Sequence, residues 1–388
     1  MKRSVDEILT THTGSLPREP KLLSLLLARS RDEPFDRGEF EATVREQVAA
    51  TVARQIAAGL TVVNDGEQSK ISYAGYLKDR LAGFELRPIP SQRAMERAEV
   101  MQYPEFYARA GRVTQDQGPI KLVGCCTGEL AWKDFSEVER DIANLKAATA
   151  GATVGDVFMT APSPSIASGF QHNVHYANDD DYRMAIAGVM KREYEAIAAA
   201  GFVLQIDCPD LTVGYRLRPP GLTMQEFRRQ IARQIEILNF ATRDIDPEQM
   251  RIHVCWGADE GPHTEDPPLE AIVDILLTAR PAGMTIVGAN GRHEHEWAVW
   301  KNVKVPDGKV ILPGVIDSTT NIIEHPQTVA ERIVRYANVL GRENIIAGVD
   351  CGFDTLADFG QVDPKVAWAK LGSLAEGARI ATRALRPR

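Results

Sequence analysis

The sequence predicts an α/β protein built as one (β/α)8 barrel with an insertion after the second strand. Short apolar runs rich in β-branched residues alternate with longer amphipathic stretches along the 388 residues. The runs are almost continuously apolar, which is typical of parallel strands that helices cover on both faces. No Gly-, Pro- or Ser-rich linker and no shift in composition divides the chain. Residues 1–388 are therefore expected to form a single domain.

Nine apolar runs are candidate strands, one more than the barrel requires. In chain order they are Ile8–Thr13, Leu60–Asn64, Ile120–Gly124, Val157–Ala161, Phe202–Ile206, Arg251–Cys255, Met284–Val287, Val310–Val315 and Ile345–Val349. The third run follows a stretch rich in Arg, Glu, Pro and Tyr that interrupts the alternation. We therefore assign that run to an insertion over residues 69–126.

Amphipathic helices are predicted between most of these runs. They cover Glu39–Ala58, Asp180–Ala199, Thr223–Ala241, Leu269–Ala279 and Pro326–Leu340. A doubly wound parallel sheet would produce the same alternation and is the alternative architecture. No G-x-G-x-x-G motif follows a strand, so dinucleotide binding has no support.

The composition is that of ordinary globular proteins, at 44% hydrophobic and 25% charged residues with a formal net charge of −8. Basic runs are short, so nucleic acid and anionic membranes are not expected partners. The sequence shows neither a signal peptide nor a window near the roughly 18 apolar residues of a membrane-spanning helix. Five cysteines without a secretion signal are typical of a reducing cytoplasm, where we expect this protein to act.

His253 and Cys255 are the most informative pair in the chain. Residues two apart on a strand point to the same side of the sheet, and an imidazole beside a thiolate suits a borderline-soft cation, above all Zn²⁺. Cys351 follows another candidate strand, so three ligands would converge if the two strands share a sheet. The alternative is a core histidine with two inert, buried cysteines.

Polar residues lie at or just after the ends of most candidate strands, at the end of a barrel where active sites form. They include His12, Ser15, Glu67, Asp207, Asn290 and Asp350. His12 could donate a proton to a substrate, or it could fix a loop by hydrogen bonding. Glu67 and Asp207 could hold a cationic group of the substrate; the structural alternatives are an exposed loop charge and a helix cap. Ser15 and Asn290 are further candidates for substrate binding.

These motifs resemble the catalytic half of cobalamin-independent methionine synthase and its relatives, which include uroporphyrinogen decarboxylase and epoxyalkane:coenzyme M transferase. The most specific stretches are Thr11–Arg18, Gln205-Ile206-Asp207-x-Pro209, His253-x-Cys255 and Asp350-Cys351-Gly352, and the similarity runs from Thr10 to about Ala384. Residues 292–297 and 314–317 look like those of the shorter, single-barrel members. The resemblance implies a TIM barrel, zinc held by His253, Cys255 and Cys351, and a thiol substrate that binds zinc as a thiolate and is alkylated.

The resemblance also implies roles for three residues of the pocket. Ser15 matches a position that meets the carboxylate of an amino acid, and Glu67 and Asp207 match acidic positions that hold the homocysteine ammonium. His12, beside this pocket, and Asp207 are the residues for which we expect a catalytic role.

Two departures from the family pattern limit what the resemblance implies. Val287 stands where the synthase has a glutamate ligand. Three consequences are open: the site has only three protein ligands, another side chain such as His293 or Glu294 reaches in, or zinc binding is weakened. Asp317 is followed by Ser318 where the synthase has a histidine, which leaves methyltetrahydrofolate uncertain as donor. A corrinoid or its carrier protein, an epoxide or an aryl methyl ether are alternative donors.

The expected activity is therefore a zinc-dependent transfer of a methyl or other alkyl group to a thiol acceptor, with small molecules as partners. Alternatives are an epoxide–thiol transferase, a metal-independent barrel lyase or decarboxylase that uses strand-end aspartates, and a binding protein without turnover. The sequence leaves the acceptor, the donor and the oligomeric state open.

Overall fold

A computed structural model describes residues 1–90, 98–109, 120–218, 221–357 and 360–386. Its main sheet has seven strands, in the spatial order β1 (Val62–Val63), β4 (Asp156–Pro162), β6 (Val203–Asp207), β7 (Met250–Val254), β8 (Gly283–Ile286), β9 (Val310–Ile316) and β10 (Gly348–Val349). Every neighbouring pair is parallel. The predicted α/β fold with a parallel sheet is confirmed. A doubly wound sheet would reverse its order at a switch point, and this order runs in one direction.

The two outer strands of the main sheet are linked through residues 9–11. The Thr11 amide donates to the Ala347 carbonyl, and the Ala347 amide donates to the Leu9 carbonyl, both at 2.9 Å. On the other side, the Val62 amide donates to the Thr10 carbonyl at 2.9 Å. The sheet is therefore curled, and the carboxyl ends of its strands face a common centre.

A second, three-stranded sheet is made of β2 (Leu81–Pro90), β3 (Ile120–Trp132) and β5 (His172–Asn173). β2 and β3 are antiparallel, and β5 is parallel to β3. The surplus run Ile120–Gly124 thus pairs with β2 and not with the main sheet. The predicted insertion, 69–126, includes 91–97 and 110–119, which lie outside the described residues.

The described residues form thirteen α-helices, several of which pack against the main sheet. They are α1 (Pro20–Ser30), α2 (Arg37–Ala58), α3 (Leu77–Arg80), α4 (Ala98–Gln102), α5 (Pro104–Arg109), α6 (Ser136–Thr149), α7 (Pro164–Phe170), α8 (Asp179–Ala199), α9 (Val213–Arg216), α10 (Met224–Ala241), α11 (Val273–Leu276), α12 (Pro326–Leu340) and α13 (Pro364–Ala384). Short 3-10 helices lie at Pro209–Leu211, Pro247–Gln249, Leu269–Ala271, Glu294–Lys301 and Arg342–Asn344. Among the described residues, no helix has the length and apolar character needed to cross a membrane.

Local capping explains why the predicted helices begin where they do. Thr223 accepts a hydrogen bond from the Glu226 amide while the Glu226 carboxylate accepts from the Thr223 amide, which is the capping box that starts α10. The Asp36 carboxylate accepts from the Glu39 amide at the start of α2. Gly59 ends α2 at φ +90°, a conformation that glycine adopts without strain.

The prediction of one continuous helix over Leu269–Ala279 is wrong. A 3-10 turn at Leu269–Ala271 is followed by the separate helix α11. In a continuous α-helix the Ile275 amide would donate to the Ala271 carbonyl. Here Arg228 donates to the Ala271 carbonyl, and the Ile275 amide donates to the Ile272 carbonyl. A side chain has taken the acceptor that an uninterrupted helix would need, so the helix breaks.

Arg251 fills the centre of the curled sheet and is 1% exposed. Its guanidinium donates to Gln205 Oε1 at 2.8 Å, to Thr11 Oγ1 at 3.1 Å and to the His12 carbonyl at 3.1 Å. It also lies 3.8 Å from the ring centroid of Phe158. Burial lowers the pKa of Arg251 to about 9. These contacts hold residues 11–12, which lead into the site, against β6.

Gly314 on β9 should tolerate no side chain, because a Cβ there would lie 1.9 Å from Asp350 Oδ1 and 2.8 Å from Asp350 Cα. We expect Gly314→Ala to lower the free energy of unfolding by about 1–3 kcal/mol, as overpacking typically does. The measurement is equilibrium urea unfolding. Gly188→Ala is the matched control, because nothing lies within 4 Å of that Cβ on α8 and the change should stabilise by up to about 1 kcal/mol. Equal losses in both variants would contradict the close approach of Asp350.

Candidate active site

Three predicted ligands meet at the carboxyl ends of β7 and β10. His253 lies on β7, Cys255 follows that strand, and Cys351 follows β10. Their ligand atoms all lie within 4.8 Å of one another, and the two sulfurs are 3.3 Å apart. All three side chains are buried, and both cysteines are free thiols. The curled sheet thus brings together residues that are 96 positions apart in sequence.

The contacts of His253 fit a metal ligand. Asp207 and His253 are register partners on β6 and β7, and His253 Nδ1 lies 3.1 Å from Asp207 Oδ1. His253 Nε2 is buried without a hydrogen-bond partner among the described residues. Metal-binding histidines usually hydrogen-bond a carboxylate or carbonyl through the second ring nitrogen. With Nδ1 held by Asp207, Nε2 is the atom available for a metal ion.

The cluster favours a thiolate even without a metal ion. The Cys351 sulfur lies 3.3 Å from the Cys255 sulfur, and the Gly257 amide donates to Cys255 at 3.2 Å. Together with the charge of the nearby His253, these contacts hold the pKa of Cys255 well below its usual range despite burial. Burial alone would lower the pKa of His253, but the contact with Asp207 and the neighbouring Cys255 sulfur raise it to about 10. A thiolate is the form of cysteine that binds metals.

The cluster opens onto a cavity of about 450 Å³. Its lining includes the predicted substrate-binding residues Ser15, Glu67 and Asp207 beside the three predicted ligands. The lining also contains Thr13, Tyr73, Phe170, Pro209, Val213, Arg216, Leu217, Asp259, Thr355 and Leu356. The volume suits a small molecule, and ligand sites commonly combine an apolar wall with a few polar groups.

Two buried oxygen atoms of the cavity lining lack hydrogen-bond partners among the described residues. They are Ser15 Oγ and Glu67 Oε2, both buried. The other oxygen of Glu67 accepts from Thr160 Oγ1 at 2.9 Å. Burial and the charge of Asp207 raise the pKa of Glu67 to about 7. Because an unpaired buried polar group is costly, a polar ligand that met both atoms would gain binding energy.

His12 and Asn290 lie apart from the lining of the cavity. His12 Nε2 is 2.8 Å from Gln55 Oε1, and the Gly14 amide donates to His12 Nδ1 at 3.3 Å. Burial lowers the pKa of His12 to about 3, so its ring is neutral. The backbone amide of Asn290 donates to Asp350 Oδ2 at 2.6 Å. Both residues stand beside loops of the site, and the roles predicted for them remain predictions.

Neither alternative ligand reaches the cluster in place of the missing glutamate. Val287 is 5% exposed and belongs to the apolar core. Glu294 Oε1 pairs with Arg332, and His293 contacts Asp266 and Glu296. Among the described residues, the cluster therefore offers three potential metal ligands.

Arg216 and Asp259 line the cavity, although they were not predicted as site residues from the sequence. Arg216 Nη2 lies 2.7 Å from Asp259 Oδ2, and the Arg216 side chain is nearly fully buried. Arg216 comes from the four-residue helix α9 and Asp259 from a loop, and neither belongs to a recognisable motif. Tyr73 also lines the cavity, where its ring packs edge-on against Phe170 at 5.4 Å.

The fold and the site define an α/β protein that has a curled parallel sheet and a buried His–Cys–Cys cluster at the carboxyl edge of that sheet. Residues 156–367, more than half of the chain, match the family model of the cobalamin-independent synthase catalytic domain. The chain belongs to this family, as its motifs predicted, and is a methionine synthase-like transferase.

Curated relatives cover nearly the whole chain at low identity. The 2-hydroxypropyl-CoM lyase of Xanthobacter autotrophicus is 25% identical over 96% of this chain and 94% of its own length. A methionine synthase of Sulfurisphaera tokodaii is 23% identical over 96% of this chain and 91% of its own length.

Solved structures share the fold. The B12-independent methionine synthase from Shewanella sp. W3-18-1, in complex with selenomethionine, has a TM-score of 0.72 at 18% identity and covers 98% of this chain and 99% of that one. A putative vitamin-B12-independent methionine synthase from Listeria monocytogenes has a TM-score of 0.64 at 15% identity, with coverage of 98% and 100%.

Proposed function

We propose that this protein transfers a methyl or other alkyl group to the sulfur of a small thiol in a zinc-dependent reaction. The observation that carries the proposal is the buried cluster of His253, Cys255 and Cys351, which opens onto a cavity of about 450 Å³. We further propose that the links through residues 9–11 close the sheet into a (β/α)8 barrel over residues 1–388. In this architecture residues 69–126 are an insertion.

Zinc, when bound, would supply a position at which a substrate thiol ionises near neutral pH, since a free thiol has a pKa of about 8.5. His253, Cys255 and Cys351 would hold the metal ion. Asp207 fixes the ring of His253 through the 3.1 Å contact with Nδ1 and keeps Nε2 directed away from β6. The sulfur of the acceptor then attacks the alkyl carbon, and the bond from that carbon to the leaving group breaks.

The cavity supports an acceptor that carries an amino-acid group. Glu67 and Asp207 together present carboxylates to an ammonium, and the Ser15 hydroxyl has no partner of its own among the described residues. Because the pKa of Glu67 lies at about 7, an arriving cation would favour its ionised form. Homocysteine, the acceptor of a methyltransferase relative from Herpetosiphon aurantiacus, fits these groups; the chain spans 40% of that relative.

An epoxide–thiol transfer is the second candidate. The whole-length relative named as a 2-hydroxypropyl-CoM lyase and the presence of Val287 instead of a fourth ligand favour it. In that reaction the sulfur attacks an epoxide carbon, the carbon–oxygen bond opens, and the alkoxide takes a proton from water or an acid.

We assign His12 and Asn290 positioning roles in either reaction. His12 fixes the loop before Ser15 through Gly14, and Asn290 holds Asp350 next to Cys351. The donor is a small molecule or a corrinoid presented by a carrier. We also propose a reducing, cytoplasmic setting, because all five cysteines are free thiols.

The test is a matrix of acceptors and donors with the purified, zinc-loaded chain. Homocysteine and 2-mercaptoethanesulfonate are each combined with methyltetrahydrofolate, methylcobalamin, an aryl methyl ether or epoxypropane, and thioether products are identified by mass spectrometry. We expect one thioether that disappears when zinc is removed by a chelator and returns when it is added back. Full activity of a metal-free preparation would refute the zinc-dependent reaction.

A further inference from the structure

A second cluster of ligand-type side chains lies behind the cavity wall formed by Arg216. It contains His263 and Asp266 from the loop after β7 and His293 from the start of the 3-10 helix after β8, and their ligand atoms lie within 4.8 Å of one another. Asp266 Oδ2 is 2.6 Å from His263 Nδ1 and 2.9 Å from His293 Nε2. All three are at most 9% exposed, so this is not a solvated surface group.

The outer nitrogens of both histidines are already fixed. His263 Nε2 lies 2.9 Å from the Asp259 carbonyl, and His293 Nδ1 lies 2.9 Å from Glu296 Oε2. A carbonyl and a carboxylate can only accept, so both of these nitrogens carry hydrogen. The inner nitrogens, which converge on Asp266, must then either carry a second proton each or present a lone pair. This is the arrangement that metal-binding histidines adopt, and His253 with Asp207 shows it too.

The charges around the cluster allow a cation. Arg216 Nη1 is 3.2 Å from His263 Nδ1, Arg216 Nε is 3.5 Å from Asp266 Oδ1, and Arg216 Nη2 pairs with Asp259. With Arg216 matched by Asp259, the carboxylates of Asp266 and Glu296 face the two imidazoles. Two negative charges can be balanced by two protons or by one divalent cation.

We propose that His263, Asp266 and His293 bind a second divalent first-row transition metal ion, separate from the thiolate cluster. Two imidazoles and one carboxylate without sulfur suit such an ion. It would join the loop after β7 to the 3-10 helix after β8. That loop supplies Gly257, Ala258 and Asp259 to the cavity lining, so the ion would fix one wall of the cavity.

In the absence of a metal ion, the histidines of this cluster hold protons that a metal ion would displace. Burial lowers the pKa of both histidines, but the hydrogen bonds to Asp266 outweigh it and raise the pKa of His293 to about 9 and that of His263 above its usual value. Metal binding would therefore release protons, as it does wherever ligands must first deprotonate.

The test is cobalt(II) titration of the metal-free, full-length chain, with metal counted by mass spectrometry after desalting. Wild type should take up about two ions per chain, and a Cys255→Ser/Cys351→Ser variant should retain about one, which lacks the sulfur-to-cobalt absorption. His293→Gln should also retain about one, but with that absorption intact. Failure of the proposed transfer reaction would leave these counts unchanged, so the two proposals can fail separately.

Asp266→Asn serves as the conservative variant, and circular dichroism checks that each chain folds. We expect Asp266→Asn to weaken the sulfur-free ion by at least about 10-fold while the sulfur-ligated one is unaffected. A folded Cys255→Ser/Cys351→Ser chain that takes up no cobalt would overturn the proposal. So would a wild-type chain that saturates at one sulfur-ligated ion.

Discussion

Cys255→Ser and Cys351→Ser should each abolish zinc retention and lower the transfer rate by more than about 100-fold. Loss of residues that merely orient metal ligands already costs about 10–100-fold in metal affinity or activity, and these two sulfurs are the proposed ligands themselves. Serine cannot replace a thiolate, because its hydroxyl does not ionise near neutral pH. The measurements are metal content per chain and kcat/KM with the acceptor found in the thioether assay.

Cys208→Ser is the matched control, because it makes the same change at another buried thiol. Cys208 lies outside the cavity lining, and its sulfur donates to the Ile206 carbonyl at 3.4 Å, a contact that a serine hydroxyl can keep. It should retain zinc and activity. Wild-type rates in a metal-free Cys255→Ser chain would favour the metal-independent lyase instead.

Most strands could be predicted because strand formation depends largely on local chemistry, although the predicted strand Ile8–Thr13 forms only an isolated bridge at Thr10. β-Branched runs such as Phe202–Ile206 and Arg251–Cys255 became the paired strands β6 and β7, with their ends shifted by one residue. The helix Leu269–Ala279 failed for a non-local reason, since its break depends on Arg228 from another helix. Sequence periodicity contains no information about such a contact.

The pairing of His253 with Cys255 could be predicted because spacing alone places them on one side of a strand, while their role as metal ligands stays a prediction. The partner Cys351 required the sheet order, which the alternation of strands and helices supplied. Arg216 and the cluster of His263 and Asp266 could not be foreseen in the same way. They sit on a four-residue helix and a loop, whose paths depend on tertiary packing.

Val287 stands where the family pattern has a glutamate ligand, so the structure must show whether another side chain takes its place. The departure at this residue raised the question of a replacement ligand, and only the fold answers it for the described residues: Glu294 faces Arg332 and His293 faces Asp266. A three-ligand site is also the form that leaves room for a substrate sulfur. In the proposed transferase, three protein ligands would therefore still provide the basis for thiol chemistry.

Asp207→Asn should separate the two contributions that Asp207 makes to the site. Its Oδ1 lies 3.1 Å from His253 Nδ1 and 2.9 Å from Gln205 Nε2, while the carboxylate also lines the cavity. Asparagine keeps the shape but removes the charge that orients and polarises the histidine. Zinc affinity should fall about 10–100-fold. At saturating zinc, KM for an amino-acid thiol should still rise, because one of the two carboxylates facing its ammonium is lost.

Asp210→Asn makes the same change three residues away and provides the control for Asp207→Asn. Asp210 accepts from Ser163 Oγ at 2.7 Å and lies outside the cavity lining, so zinc affinity and KM should stay near wild type. The comparison also discriminates between reactions. In a metal-independent lyase that uses a strand-end aspartate, Asp207→Asn would abolish activity and added zinc would restore none of it. In the zinc-dependent transferase, excess zinc should recover much of kcat and leave the increase in KM, because the metal ion compensates for weaker binding but not for the missing carboxylate.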